Sequence, residues 1–209
     1  RQIIANAALA MVGMVANDPD VEVESKPTVG ITMFGVTTPC VQAARERLES
    51  LGYETIVFHA TGTGGQAMES LVEEGVIDGV LDVTTTEWAD QLVGGVLNAG
   101  PDRLEAAGKV GIPQVVSTGA LDMVNFGPRD SVPDEFEGRQ FHVHNPQVTL
   151  MRTTPEENAE LGEIIAGKLN DATGPTALVL PLGGVSAIDV PGEGFHDPGA
   201  DEALFDGLR

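Results

Sequence analysis

Short apolar runs alternate with segments of helical period along most of this chain, and that alternation narrows the fold more than any other feature. Val29–Phe34, Thr55–Phe58, Val76–Val83, Gln114–Ser117, Gln140–Val143 and Ala177–Leu180 read as strands. Helix signals lie between them. Thr38-Pro39 supplies a cap and a first-position proline, and Val41, Ala44, Leu48 and Leu51 share one face before Gly52 stops the helix. Further helices are expected from about Gln66, from Thr86 to Leu97, from Pro155 and from about Ala200. Thr154 and Glu157 stand at capping-box spacing ahead of the third of these. Strands separated by helices pair in parallel, so the expected architecture is α/β: a mainly parallel sheet flanked by helices, a Rossmann-like three-layer sandwich. The proline-rich stretch Gly119–Arg139 is too long for an ordinary connector, and long ordered loops of that kind are often functional.

Ahead of this pattern lies an apolar, alanine-rich stretch, Ile3–Val15, closed by Asn17-Asp18-Pro19. An acidic segment with Asp18, Asp20, Glu22 and Glu24 follows. Residues 1–27 are therefore expected to form a linker helix and an acidic linker, and residues 28–209 one α/β domain. The chain begins at Arg1 with no secretory signal segment, which suggests a piece of a larger cytoplasmic protein. No apolar run approaches the roughly 20 residues of a membrane helix. The single cysteine, Cys40, excludes an internal disulfide and a multi-cysteine zinc site.

Charge sets the partners. Asp plus Glu number 32 against 11 Lys plus Arg, a net charge of −21 spread over the whole chain. Such a surface repels nucleic acid, whose binding rests on phosphate neutralisation. Only Lys26, Lys109 and Lys168 are lysines. Spread acidity with few lysines points to a salt-loving source, since at molar salt the Debye length is about 3 Å and self-repulsion is screened. The alternative is an acidic protein from an ordinary cytoplasm.

In parallel sheets, ligands gather beyond the carboxyl ends of the strands. Those positions here are rich in hydroxyls, glycines, histidines and carboxylates. They include Thr61, Gly62, Thr63, Gly64 and Gly65, then Asp82 with Thr84, Thr85 and Thr86, then Ser117 and Gly119, then His142, His144 and Asn145, and finally Ser186. These fifteen residues are expected to line one cleft for a small anionic ligand. Thr61–Gly65 before a helix start suits a phosphate or carboxylate, because glycines let N–H groups turn inward. A tight glycine turn between strand and helix explains the same residues, and the loop is not a Walker A motif. His142 and His144 share a strand face and would reach a metal only with Asp82, Asp189 or His196, at no known ligand spacing. Ser117 or Ser186 with a histidine and Asp122 would make a triad, but no Gly-x-Ser-x-Gly elbow is present. Cys40 lies near a helix start, where a thiolate gains stability, or it is a buried spectator thiol.

Longer strings carry a resemblance. They include Gly35-Val-Thr-Thr-Pro-Cys-Val41, Val57-Phe-His-Ala-Thr-Gly-Thr-Gly-Gly65, Gly79-Val-Leu-Asp-Val-Thr-Thr-Thr-Glu87, Gly119-Ala-Leu-Asp-Met-Val-Asn-Phe-Gly127 and Phe141-His-Val-His-Asn-Pro-Gln-Val-Thr-Leu-Met-Arg-Thr-Thr154. The chain resembles the UPF0261 family, also called Tm-1-like ATP-binding proteins, along nearly its whole length. The resemblance implies two α/β domains in the full protein, of which this chain is similar to the second, with its C-terminal end truncated. It places a Gly-Thr-x-Asp-Thr-Lys nucleotide motif in the missing N-terminal domain, and that motif is absent here. ATP is thus implied for the full-length protein, with no tightly bound cofactor expected on this chain. Gln66 and Gly183 stand where the family carries basic residues.

Three functions follow from this reading. The first is a ligand-binding domain holding an anionic small molecule or nucleotide at an interdomain cleft. The second is an enzyme acting on a carbonyl or carboxylate metabolite, with His142, His144, Asp82 or Asp189 for acid–base work. The third is an oligomerisation or scaffold domain using Ile3–Val15, in keeping with an expected homo-oligomer. The charge itself generates a test. Thermal melts with and without roughly 2 M KCl should show a midpoint several degrees higher in salt; an unchanged midpoint rejects salt dependence.

Overall fold

The computed structural model describes residues 1–16 and 26–209; the expected acidic linker at Asp18–Glu24 lies outside the described residues. Its centre is a five-stranded, all-parallel sheet in the order β2-β1-β3-β4-β8. The strands are β1 (Thr28–Met33), β2 (Glu54–His59), β3 (Gly79–Thr84), β4 (Gln114–Gly119) and β8 (Thr176–Val179). The helices are α1 (Gln2–Ala16), α2 (Thr38–Ser50), α3 (Thr63–Glu73), α4 (Glu87–Val93), α5 (Ala106–Val110), α6 (Pro155–Asn170) and α7 (Pro198–Gly207). The α/β sandwich expected from the alternation is the observed fold.

Side-chain alternation along the strands assigns the layers. Ile31, Val57, Leu81 and Val83 point to the α2 side, where Val41 and Leu48 cover them. Val80 points the other way, into a cluster with Met68 and Val72 of α3 and Ala106 and Ala107 of α5. The largest cluster joins Val116 of β4 to Trp88 of α4, Leu161 and Ile165 of α6, and Leu204 and Phe205 of α7. α6 and α7 touch backbone to backbone. A β-carbon at Gly162 would overlap the Leu204 carbonyl, and one at Gly207 would overlap that of Ala159. The capping box forms as spaced: the Glu157 amide donates to Thr154 Oγ1 at 3.1 Å, and the Thr154 amide donates to Glu157 Oε2 at 2.8 Å.

A second, antiparallel sheet departs from expectation. Its order is β5-β7-β6, with β5 (Met123–Phe126), β6 (Phe141–Asn145) and β7 (Val148–Arg152). The strand expected at Gln140–Val143 therefore belongs to this sheet and not to the parallel one. β5 and β7 escaped the sequence pattern for a physical reason. All four residues of β5 are buried, as are four of the five in β7, so no apolar–polar alternation marks them. Polar Asn125, Thr149 and Arg152 sit inside these runs, buried. Leu150 and Met123 pack with Phe34, Val36 and Phe195, which seats the small sheet beside the loop that follows β1. The short α5 was also missed, and the helix expected over Thr86–Leu97 stops at Val93, where Gly94 takes φ +101°.

Candidate functional site

The glycine loop between β2 and α3 already holds an anion, and that anion belongs to the protein. The Gly62 and Gly65 amides both donate to Glu87 Oε1, at 2.7 and 3.1 Å. The other Glu87 oxygen accepts from Arg103 Nε at 2.6 Å. Arg103 also makes a two-pronged contact with Asp82, Nη1 to Oδ2 at 2.6 Å and Nη2 to Oδ1 at 2.8 Å, and reaches Glu69 Oε1 at 3.4 Å. Arg103 is 2% exposed. Burial opposes its charge, but the carboxylates of Asp82, Glu87 and Glu69 outweigh that and hold the guanidinium above its usual range. Burial raises Glu87, with Arg103 opposing, and pushes Glu69 up to about 7. The glycines are needed because the backbone comes so close: a β-carbon at Gly65 would overlap Glu87 and Arg103, and one at Gly64 the His59 carbonyl.

Beyond the carboxyl ends of β1, β3 and β4 lies an open pocket of about 150 Å³. Thr37, Cys40, Ser117, Gly119, Gly184 and Ser186 contribute to its walls. The start of α2 forms one side. The loop Pro181–Ser186 forms the lid, tied down where the Ala120 amide donates to the Val185 carbonyl at 2.8 Å and the Ala187 amide to that of Val36 at 3.0 Å. Thr37 and Thr84 share a hydroxyl hydrogen bond of 2.8 Å. Ser186 Oγ donates to Asp122 Oδ2 at 2.7 Å. Asp122 is fully buried, and its Oδ1 has no hydrogen-bond partner among the described residues. Burial pushes its carboxyl up to about 7 against the pull of Ser186 and Arg152.

With this geometry in view, comparison with known proteins is decisive for kinship. The profile of the uncharacterised protein family UPF0261, C-terminal domain, matches residues 26–209. The chain belongs to the UPF0261 family. A UPF0261 protein of Clostridium tetani is 60% identical over 209 residues, covering 100% of this chain and 52% of the relative. A UPF0261 protein of Rhizobium meliloti is 54% identical with the same coverage. The ToMV resistance protein Tm-1(GCR237) of Solanum lycopersicum is 53% identical over 207 residues, 97% of this chain and 28% of that protein. The chain thus spans about half the length of the bacterial relatives.

The fifteen residues singled out in the sequence fall into three places in this UPF0261 domain. Gly62, Gly65 and Asp82 belong to the Arg103 cluster. Asp82 also accepts from Thr32, whose hydroxyl receives the Thr84 amide. Thr85 and Thr86 are buried and donate to the carbonyls of Ser117 and Met123. Thr61, Thr63 and Gly64 complete the loop and first turn of α3. Ser117, Gly119 and Ser186 share the 150 Å³ pocket. His142, His144 and Asn145 stand exposed on β6, with His142 edge-on to Phe195 at 6.2 Å. Ser186 pairs with Asp122 with no histidine between them, so no triad is assembled there. Among the described residues, no three His, Cys, Asp or Glu side chains converge as a metal site requires. Cys40 is exposed, not a buried thiol. Glu87, Arg103 and Thr37 were not singled out as site residues. The string Thr86-Glu87 gave no sign that its carboxylate folds back onto a loop 22 to 25 residues earlier.

Two outcomes follow from these contacts. Arg103→Met strands Asp82, Glu87 and Glu69 without a counter-charge and should cost about 3–5 kcal/mol in urea unfolding. The exposed Arg45→Ala should leave the midpoint where it is; equal midpoints for both variants contradict the cluster's structural role. Burial also pushes Asp90 up to about 7, like Glu69 and Asp122. The folded chain then holds more protons than the unfolded chain between about pH 4 and 7. The stability these groups contribute is full below their unfolded pKa and is lost as pH rises through about 7. Melts in about 1 M KCl, where surface repulsion is screened, should give a midpoint on the order of 5 °C higher near pH 5.5 than near pH 8. A flat or opposite profile contradicts the assignment.

Proposed function

We propose that this domain binds the anionic group of a small molecule in the pocket at the start of α2, with ATP or another nucleotide as the ligand of the full-length protein and the rest of that ligand held by the remaining half of the relatives' length. One observation carries this: an open pocket of about 150 Å³ sits beyond the carboxyl ends of a parallel sheet, where Ser117 lies beside the first turn of a 13-residue helix. The Ser117 hydroxyl with the positive end of the α2 dipole suits a phosphate or carboxylate. The Thr61–Gly65 loop is a weaker candidate, because Glu87 takes the amides of Gly62 and Gly65. Among the described residues, no lysine or arginine lines the α2 pocket, so the affinity of this domain alone is modest.

Cys40 supplies the readout, since it lines the pocket and is the chain's one thiol. Millimolar phosphate or ATP should slow its reaction with a thiol reagent several-fold, and Ser117→Ala should remove most of that protection. Equal rates with and without ligand reject the pocket. Calorimetry on this chain should find ATP binding weaker than micromolar, about −8 kcal/mol; micromolar binding would place the whole nucleotide site in this domain.

A further inference from the structure

β7 sends one guanidinium into the segment that follows β8. Arg152 is buried, and its Nε donates to the Phe195 carbonyl at 2.8 Å. Its Nη2 is shared between two carboxylates, Asp189 Oδ1 at 3.4 Å and Asp201 Oδ1 at 3.1 Å. Asp189 in turn gathers the loop: its Oδ2 accepts from the Val185 amide at 3.0 Å, and its Oδ1 from the Asp197 amide at 3.3 Å. Asp201 lies in the first turn of α7. The small sheet, the loop that carries the pocket lid and the start of α7 therefore meet at one cation.

The charges at this point do not balance. One guanidinium faces Asp189 and Asp201, and Asp122 acts on both Arg152 and Asp189 as a further carboxylate. All of these side chains are buried. Asp189 and Asp201 also lie within hydrogen-bond reach of each other, a contact that two carboxyls make only with a proton between them. Asp201 is the member that solvent can reach. It lines an open pocket of about 320 Å³ with His196, Glu202 and Arg209, whereas Asp189 is fully buried. Burial first, then the charge of Asp189, pushes the Asp201 carboxyl up to about 7 against the pull of Arg152. α6 meets α7 through Leu161, Ile165, Leu204 and Phe205, and among the described residues it brings no ion pair to Asp201.

We propose that Asp189 and Asp201 form a proton-operated clasp on the loop that lids the pocket at the start of α2. With one proton between them, both carboxyls rest on Arg152 and hold the loop and α7 to the small sheet. Once the proton leaves through the 320 Å³ pocket, two like charges face each other across one guanidinium, and α7 loosens from the loop. The lid follows, because Gly184 lies against the Asp189 carbonyl so closely that a β-carbon would overlap it. Gly184 also borders both pockets. The proton is bound more tightly in the folded chain than in the unfolded one, so the clasp is complete at acidic pH and is lost as pH rises through about 7. It works whether or not the α2 pocket takes a ligand.

Hydrogen exchange read by mass spectrometry on the 209-residue chain in about 1 M KCl tests this, with rates corrected for the intrinsic pH dependence of amide exchange. From about pH 6 to about pH 8, residues 181–205 should lose protection several-fold while α2 loses much less. Asp201→Asn keeps a hydrogen-bonding side chain that cannot ionise, so in that variant protection of the same residues should change no more than that of α2. The wild-type comparison decides by itself if the variant fails to fold. A flat wild-type profile, an equal loss across α2, or a pH dependence that survives Asp201→Asn overturns the clasp.

Discussion

Arg103 is surrounded by carboxylates from three elements: Glu69 of α3, Asp82 of β3 and Glu87 at the start of α4. A guanidinium that is 2% exposed cannot be left unpaired without a cost of several kcal/mol, so these elements must meet at one point. Trp88 Nε1 fixes the far side by donating to the Arg103 carbonyl at 3.2 Å, and the next residue, Leu104, at φ +75°, donates its amide to Glu69 Oε1 at 2.6 Å. The glycines of Thr61–Gly65 are subordinate to this. They let the chain pass close enough to Glu87 for its second oxygen to be satisfied by backbone amides, as a buried carboxylate requires. One arginine therefore joins the sheet, two helices and the loop between β2 and α3.

With that loop committed internally, the carboxyl edge of the sheet keeps an open recess at the start of α2. Its lid is positioned by the small antiparallel sheet and the loop that follows β8, through contacts of Phe34, Val36, Ile188 and Phe195. The buried Ser186–Asp122 pair anchors the lid from below. The recess lies on the same face of the sheet as an apolar groove of about 540 Å³ lined by Leu48, Leu81, Val115 and Ala177, since Val83 and Ser117 continue the rows begun by Leu81 and Val115.

The sequence by itself determined the fold class and the order of most elements. Alternating strand and helix periods, the Thr38-Pro39 start and the Thr154–Glu157 capping box are local signals, carried by residues within one or two turns of each other, and tertiary context did not override them. It also marked Ser117, Gly119 and Ser186 as strand-end residues, which do share a pocket. Only the tertiary structure decided which polar residues face each other. Glu87 and Gly62 are 25 positions apart, Asp82 and Arg103 are 21 apart, and Asp122 and Ser186 are 64 apart. No periodicity links them. The same holds for two buried polar residues of β5 and β7 that meet distant partners: Asn125 donates to Asp90, and Arg152 to Asp189 and Asp201. A buried charge or amide is tolerated only when its partner is delivered by the fold, and that delivery is a property of three-dimensional packing that local residue order does not contain.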